Sequence, residues 1–117
     1  MYNRCEECID ECGCVSKNYY WVQGDTFENA IKVIDKEGNL VTNETLDNIE
    51  FRLLDGNKDI EYFQNYEYNA EKERWEISIP ALETAKWEIE THYYRYVATY
   101  KGGVTKTLRT ALFVVEK

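Results

Sequence analysis

No stretch of the chain approaches the roughly 20 consecutive apolar residues of a membrane span, so a transmembrane helix is not expected. The opening Met1-Tyr2-Asn3-Arg4-Cys5 lacks the apolar core of a secretory signal peptide. If Met1 begins the natural product, the protein is expected to be made and kept in the cytoplasm, or to leave it by another route such as lysis. Basic residues are scarce: 14 Lys and Arg against 22 Asp and Glu give 14 − 22 = −8. That balance argues against nucleic acid, whose phosphates need clustered cations, and against anionic lipid. It suits solubility at high local concentration. The single histidine, His92, has no recognisable nucleophile partner and is expected at the surface, at a strand end. No glycine-rich phosphate loop follows a strand and no serine sits on a strand-to-helix elbow. A calcium loop at Asp55-Gly56-Asn57-Lys58-Asp59 has the wrong spacing and contains a lysine. The residues therefore point away from an enzyme. No cysteine follows Cys14, so any sandwich must be held by packing alone.

Four cysteines, Cys5, Cys8, Cys12 and Cys14, crowd the first 18 residues among Glu6, Glu7, Asp10 and Glu11. Four thiolates could hold a zinc ion, and Cys5-x2-Cys8 is a favoured half-site. The Cys12-x-Cys14 pair bites more tightly, and the neighbouring carboxylates oppose thiol ionisation. Disulfides within the segment or between copies are the second reading, and an acidic tail with incidental cysteines is the third. Residues 1–18 are too short for a core of their own and are expected to form an extended N-terminal arm ordered by a partner.

From Tyr19 onward the pattern becomes alternating runs separated by polar turns, the period of half-buried strands. The spacing predicts strands at 19–23, 26–35, 49–54, 74–79, 92–101 and 104–115, a brief extension at Leu40-Val41, and an irregular or edge strand at 60–68, as one strand or two short ones. Phe27, Ile31 and Val33 share one face with Asn29 between them. Ile49, Phe51 and Leu53 form a second inward set, and Trp75, Ile77 and Ile79 a third. Gly24, Gly38 and Gly102-Gly103 mark turns. Pro80 ends one ladder and opens a helical turn near 81–88, with Leu82 and Trp87 expected to cover the core's end. About seven antiparallel strands at this spacing predict an immunoglobulin-like β-sandwich over residues 19–117.

Aromatics make up 15% of the chain and ten of them are tyrosine. The run from His92 to Lys101 carries aromatics on both faces, so one of its faces is expected outside a two-layer core. Tyr93, Tyr94, Tyr96 and Tyr100 are the candidate partner-binding residues, facing a protein chain or a glycan. Cross-strand tyrosine pairing on an exposed sheet is the plainer alternative.

Three groups of residues carry a resemblance. The first is Gly24-Asp25-Thr26-Phe27, then Asp35-Lys36-Glu37-Gly38-Asn39 and Ile49-Glu50-Phe51-Arg52-Leu53. The second is Trp75-Glu76-Ile77-Ser78-Ile79-Pro80 with Leu82 and Thr84. The third is Tyr93-Tyr94-Arg95-Tyr96, a glycine hairpin and Phe113-Val114-Val115. Together they resemble the immunoglobulin-like N-terminal module of tailed-phage upper-baseplate proteins and related small virion proteins. The chain departs from that pattern at Glu90-Thr91-His92, where the family usually has a glycine, and in its cysteine-rich start. The resemblance implies a non-enzymatic structural part of a virion, assembled in the host cytoplasm in many copies. It would dock on other virion proteins as capsid decoration, collar or baseplate adaptor, without a cofactor. A carbohydrate- or cell-surface-binding module using the tyrosine face is the alternative, and a zinc-dependent regulator is a third. If zinc is bound at Cys5, Cys8, Cys12 and Cys14, elemental analysis of reduced protein finds it stoichiometrically; its absence removes that reading.

Overall fold

The computed structural model describes residues 5–10, of these only Ile9 with its side chain, and residues 17–117. Their strands in chain order are β1 (Cys5–Asp10), β2 (Tyr19–Val22), β3 (Phe27–Ile34), β4 (Leu40–Val41), β5 (Leu46–Leu54), β6 (Ile60–Asn65), β7 (Glu67–Asn69) and β8 (Arg74–Ile79). A single helical turn, α1 (Ala81–Thr84), precedes β9 (Thr91–Tyr100) and β10 (Thr105–Glu116). One sheet runs β1-β3-β8-β7, with β4 also on β3; the other runs β2-β10-β9-β5-β6. Strands β3, β8 and β7 correspond to B, E and D of an immunoglobulin sandwich, and β10, β9, β5 and β6 to G, F, C and C′. The chain is an all-β, immunoglobulin-like sandwich.

The core lies where the inward sets of both sheets meet. Phe27 from one sheet packs on Phe51 and Phe113 from the other, with ring centroids 5.7 and 5.3 Å apart. The expected inward residues of β3, β5 and β8 are all buried. Asn29, in the middle of the β3 set, is buried too, and both its amide nitrogen and its amide oxygen are hydrogen-bonded. Its Nδ2 donates to the Tyr19 hydroxyl at 3.1 Å, and its Oδ1 accepts from the Tyr66 hydroxyl at 2.6 Å and the Tyr96 hydroxyl at 3.4 Å. The Tyr19 and Tyr96 hydroxyls lie 2.8 Å apart. A buried amide without such partners would cost about 1–3 kcal/mol.

Several expectations are corrected. The described residues form ten strands rather than about seven, and not all pair antiparallel. β1 runs parallel to β3, and β2 parallel to β10. Neither pair is joined by a hairpin, so no local turn signal sets its direction. Residues 5–10, expected within an extended arm, form an edge strand, and Ile9 is buried in the shared core. The parallel ladder on β3 gives this short segment the partner it needs.

The run from Ile60 to Tyr68 is two strands in different sheets. It crosses between them at Tyr66, whose N–H donates to the Ile49 carbonyl and whose ring is buried. Helix α1 is shorter than predicted. Leu82 is 83% exposed, whereas Trp87 is buried as expected. The buried contact from α1 is instead Thr84, whose Oγ1 donates to the Asp25 carbonyl at 2.9 Å. That bond holds α1 over the turn at Gly24, where φ is +90° and a glycine is favoured.

Asn29→Ala is expected to destabilise the fold by about 2–3 kcal/mol, because it strips the Tyr66 hydroxyl of its acceptor and Tyr19 of a donor. Tyr66→Phe, which removes one hydroxyl only, should cost about 1 kcal/mol. Urea denaturation of the two variants checks the order, and a smaller loss for Asn29→Ala would contradict it.

Candidate docking face

The sandwich turns two faces to solvent, and that of the β2-β10-β9-β5-β6 sheet carries the exposed apolar side chains Tyr20, Ile60 and Phe63. Register assembles it row by row. Tyr20 pairs with Val114 and then Thr91; Leu112 leads through Tyr93 and Leu54 to Ile60. Thr110, Arg95, Arg52 and Phe63 form the next row, and Val97, Glu50 and Asn65 lie in the one after it. Tyr20, Ile60 and Phe63 are 60, 51 and 61% exposed, while Leu112, Val114 and Tyr93 are half-buried. The alternation explains the pattern: Ala111, Phe113 and Val115 point inward, so Leu112 and Val114 must point out.

The charges on these rows are Arg52, Arg95 and Glu50, a sum of 2 − 1 = +1 on a chain of −8. Glu50 is taken up by a hydrogen-bonded ion pair with the Arg52 Nε. Arg95 lends its Nε to the Thr110 hydroxyl at 3.4 Å. The Lys58 ammonium lies 5.0 Å from the centroid of the Tyr93 ring. The face is therefore apolar with a weakly positive border, suited to a partner surface that is apolar and acidic.

The four tyrosines named from the sequence do not come together here. Tyr94 and Tyr96 are fully buried and unavailable to a partner. Their inward rings pack against Tyr19, Phe51 and Phe113, and the Tyr94 hydroxyl donates to the Lys17 carbonyl at 2.5 Å. Tyr100 is half-buried against the core. Only Tyr93 lies on the outer face. The residues missed were Tyr20, Ile60, Phe63, Leu112 and Val114, and the signal that could have found Leu112 and Val114 is their parity relative to Phe113.

Of the four cysteines, Cys12 and Cys14 lie outside the described residues, and Cys5 and Cys8 are described only as backbone of β1. Among the described residues no group of three His, Cys, Asp or Glu side chains could hold a metal ion. None of their helices is long and apolar enough to cross a membrane.

His92, expected at the surface, is fully buried. It begins the inward series of β9, and both ring nitrogens meet acceptors: Nδ1 lies 2.5 Å from Glu61 Oε1 and Nε2 lies 2.8 Å from the Glu88 carbonyl. The pair ties β6 and the segment after α1 to the start of β9. Nearby, burial first and the Glu83 carboxylate second push the Tyr62 phenol above its ordinary pKa. Burial, then Glu73 and Glu44, does the same for Tyr68. Both phenols move further from neutral pH, away from the range of a proton-transfer group.

No protein-family model matches this sequence, and no curated protein matches it. A solved structure described as the N-terminal domain of phage TP901-1 ORF48 aligns with it at a TM-score of 0.61, covering 97% of this chain and 98% of that one at 14% identity. The likeness is one of fold. A second solved structure, of the Clostridium thermocellum CbhA fibronectin(III)-like modules, aligns at a TM-score of 0.46 over 88% of this chain and 91% of that one, at 11% identity. That second likeness is too weak to argue from.

His92→Ala should leave the Glu88 carbonyl and the Glu61 carboxylate without their donor and lower stability by about 2 kcal/mol. Urea denaturation reads this directly, and a loss within about 0.5 kcal/mol would show that the tie does not hold the fold together.

Proposed function

We propose that the chain is a non-enzymatic structural module of a bacteriophage virion that docks on other virion proteins through the outer face of the β2-β10-β9-β5-β6 sheet. The observation that carries this reading is the apolar band from Tyr20 to Phe63, weakly positive on a strongly acidic chain. Bulk acidity keeps copies apart in solution, while the exception marks where contact is favourable. The virion context is supported by the end-to-end fold likeness to a phage domain and by the spaced motifs that resemble phage structural modules. Attachment to capsid, collar or baseplate would each use the same face. A glycan platform is less favoured, because the Lys58 ammonium sits over the Tyr93 ring.

The remaining proposal for the cysteines is covalent contact between copies or zinc binding beside β1. Deleting residues 1–18 would remove Ile9 and β1, so cysteine-to-serine changes separate that role from folding more cleanly.

Tyr20→Glu and Ile60→Glu change exposed side chains and should leave the fold intact. Combined, they are expected to reduce incorporation into particles at least about tenfold, the equivalent of 1.4 kcal/mol in partner affinity. Incorporation at the unaltered level by a folded double variant would overturn the docking face.

A further inference from the structure

Among the described residues β6 is a free edge of its sheet, and apart from the irregularity opposite Leu53 and Leu54 it has neither of the residues that most often blunt such an edge, lysine and proline. The other short edges are small: β2 has four residues and β7 three. Strand β1 has six residues, three of them acidic. By contrast β6, Ile60-Glu61-Tyr62-Phe63-Gln64-Asn65, contains neither lysine nor proline and carries two of the most exposed apolar side chains of the chain. Natural proteins blunt strand edges with lysine, proline or brevity, because an open edge is a template for another strand. The one charged residue of β6, Glu61, has its carboxylate on the buried His92 ring.

The hydrogen-bond alternation shows which groups are open. The Tyr66 N–H donates to the Ile49 carbonyl at 2.8 Å. With the register Phe51↔Gln64 and Leu53↔Tyr62, residues 62, 64 and 66 therefore turn their backbone groups toward β5. Phe63 and Asn65 turn theirs to the free edge. The irregularity between Leu53 and Leu54 leaves Glu61 as the extra residue, where the regular alternation ends.

We propose that β6 pairs antiparallel with β6 of a second copy of this chain, about a two-fold axis through Phe63. Paired residues must lie on the same face of a continuous sheet, so their numbers must sum to an even value. Pairing Phe63 with its own equivalent meets that condition and uses the edge-facing groups of Phe63 in both directions. A two-fold interface requires such self-complementarity. In this register Asn65 falls opposite Glu61, so no carboxylate faces another. On the outer face the two Phe63 rings become cross-strand neighbours, an aromatic pair that favours the ladder. The two docking faces then join into one surface across the axis. This pairing goes beyond docking on other proteins and does not depend on it.

The test is sedimentation of the full chain under reducing conditions, so that the cysteines cannot link copies. Wild-type protein is expected to shift from monomer to dimer with concentration. Phe63→Lys and Phe63→Asp each place like charges at the axis and should raise the dimer dissociation constant at least about tenfold. An equimolar mixture of the two should dimerise again, because only pairing through position 63 sets Lys against Asp. Amide exchange of the wild type gives a second readout: the Phe63 N–H should exchange quickly in dilute protein and slow on concentration. The Gln64 N–H should be slow throughout. The proposal falls if wild type stays monomeric to about 1 mM, if either single variant dimerises like wild type, or if the mixture stays monomeric. It falls equally if Phe63 exchange ignores concentration.

Discussion

The amide of Asn29 is a buried polar group through which the two sheets are hydrogen-bonded. It belongs to β3, yet its partners come from β2, from β9 and from the crossing between β6 and β7. Apolar packing is tolerant of small slips, whereas a hydrogen-bonded amide is not, because a one-residue slip turns it to the other face. Asn29 therefore fixes the registry of the two sheets in a chain whose described core contains no cystine. Tyrosine is the fitting partner, since its ring fills the core while its hydroxyl reaches the amide. Among the described tyrosines, Tyr19, Tyr66, Tyr94 and Tyr96 are core residues, whereas Tyr20 belongs to the surface.

The same alternation that sends these rings inward produces the outer band. The residues beside the inward aromatics lie on the outer side, and on β10 and β9 they include the apolar Leu112, Val114 and Tyr93 as well as Arg95. The charged positions of the face are the exception and are largely satisfied within it, Glu50 by Arg52 and Arg95 by Thr110. A surface whose polar groups are already paired loses little when water leaves it, which is the property an interface needs.

The parts of the fold that could be read from the sequence were those with one wet face. Ile49, Phe51 and Leu53, like Trp75, Ile77 and Ile79, alternate with polar residues because their strands have one side in solvent. Where burial is not one-sided the signal fails. The run from His92 carries aromatics on both faces, so periodicity could not say that Tyr94 and Tyr96 were the inward pair. In the sequence of β1 the aliphatic residue is Ile9, too little for a periodic signal, and its partner β3 lies about twenty residues away, beyond any local turn rule. The crossing at Tyr66 interrupts alternation for a topological reason, because the chain changes sheet there. His92 was misplaced because a lone histidine has no periodic signature, and its burial depends on Glu61, which is remote in sequence.

The parallel pairing of β2 with β10 has a mechanical consequence. Tyr19 lies against Phe113 and Val22 against Glu116, so the entry to one strand and the exit from the other lie at opposite ends of the ladder. A pull that separates the Tyr19 end from Lys117 acts along both strands in opposite senses. The cross-links of that ladder, together with the 2.7 Å bond from the Gln23 N–H to the Glu116 carbonyl, are then loaded in shear and must yield together. An antiparallel pair pulled from one end would instead open like a zipper, one link at a time. That ladder therefore resists tension along its length more than a hairpin pair would.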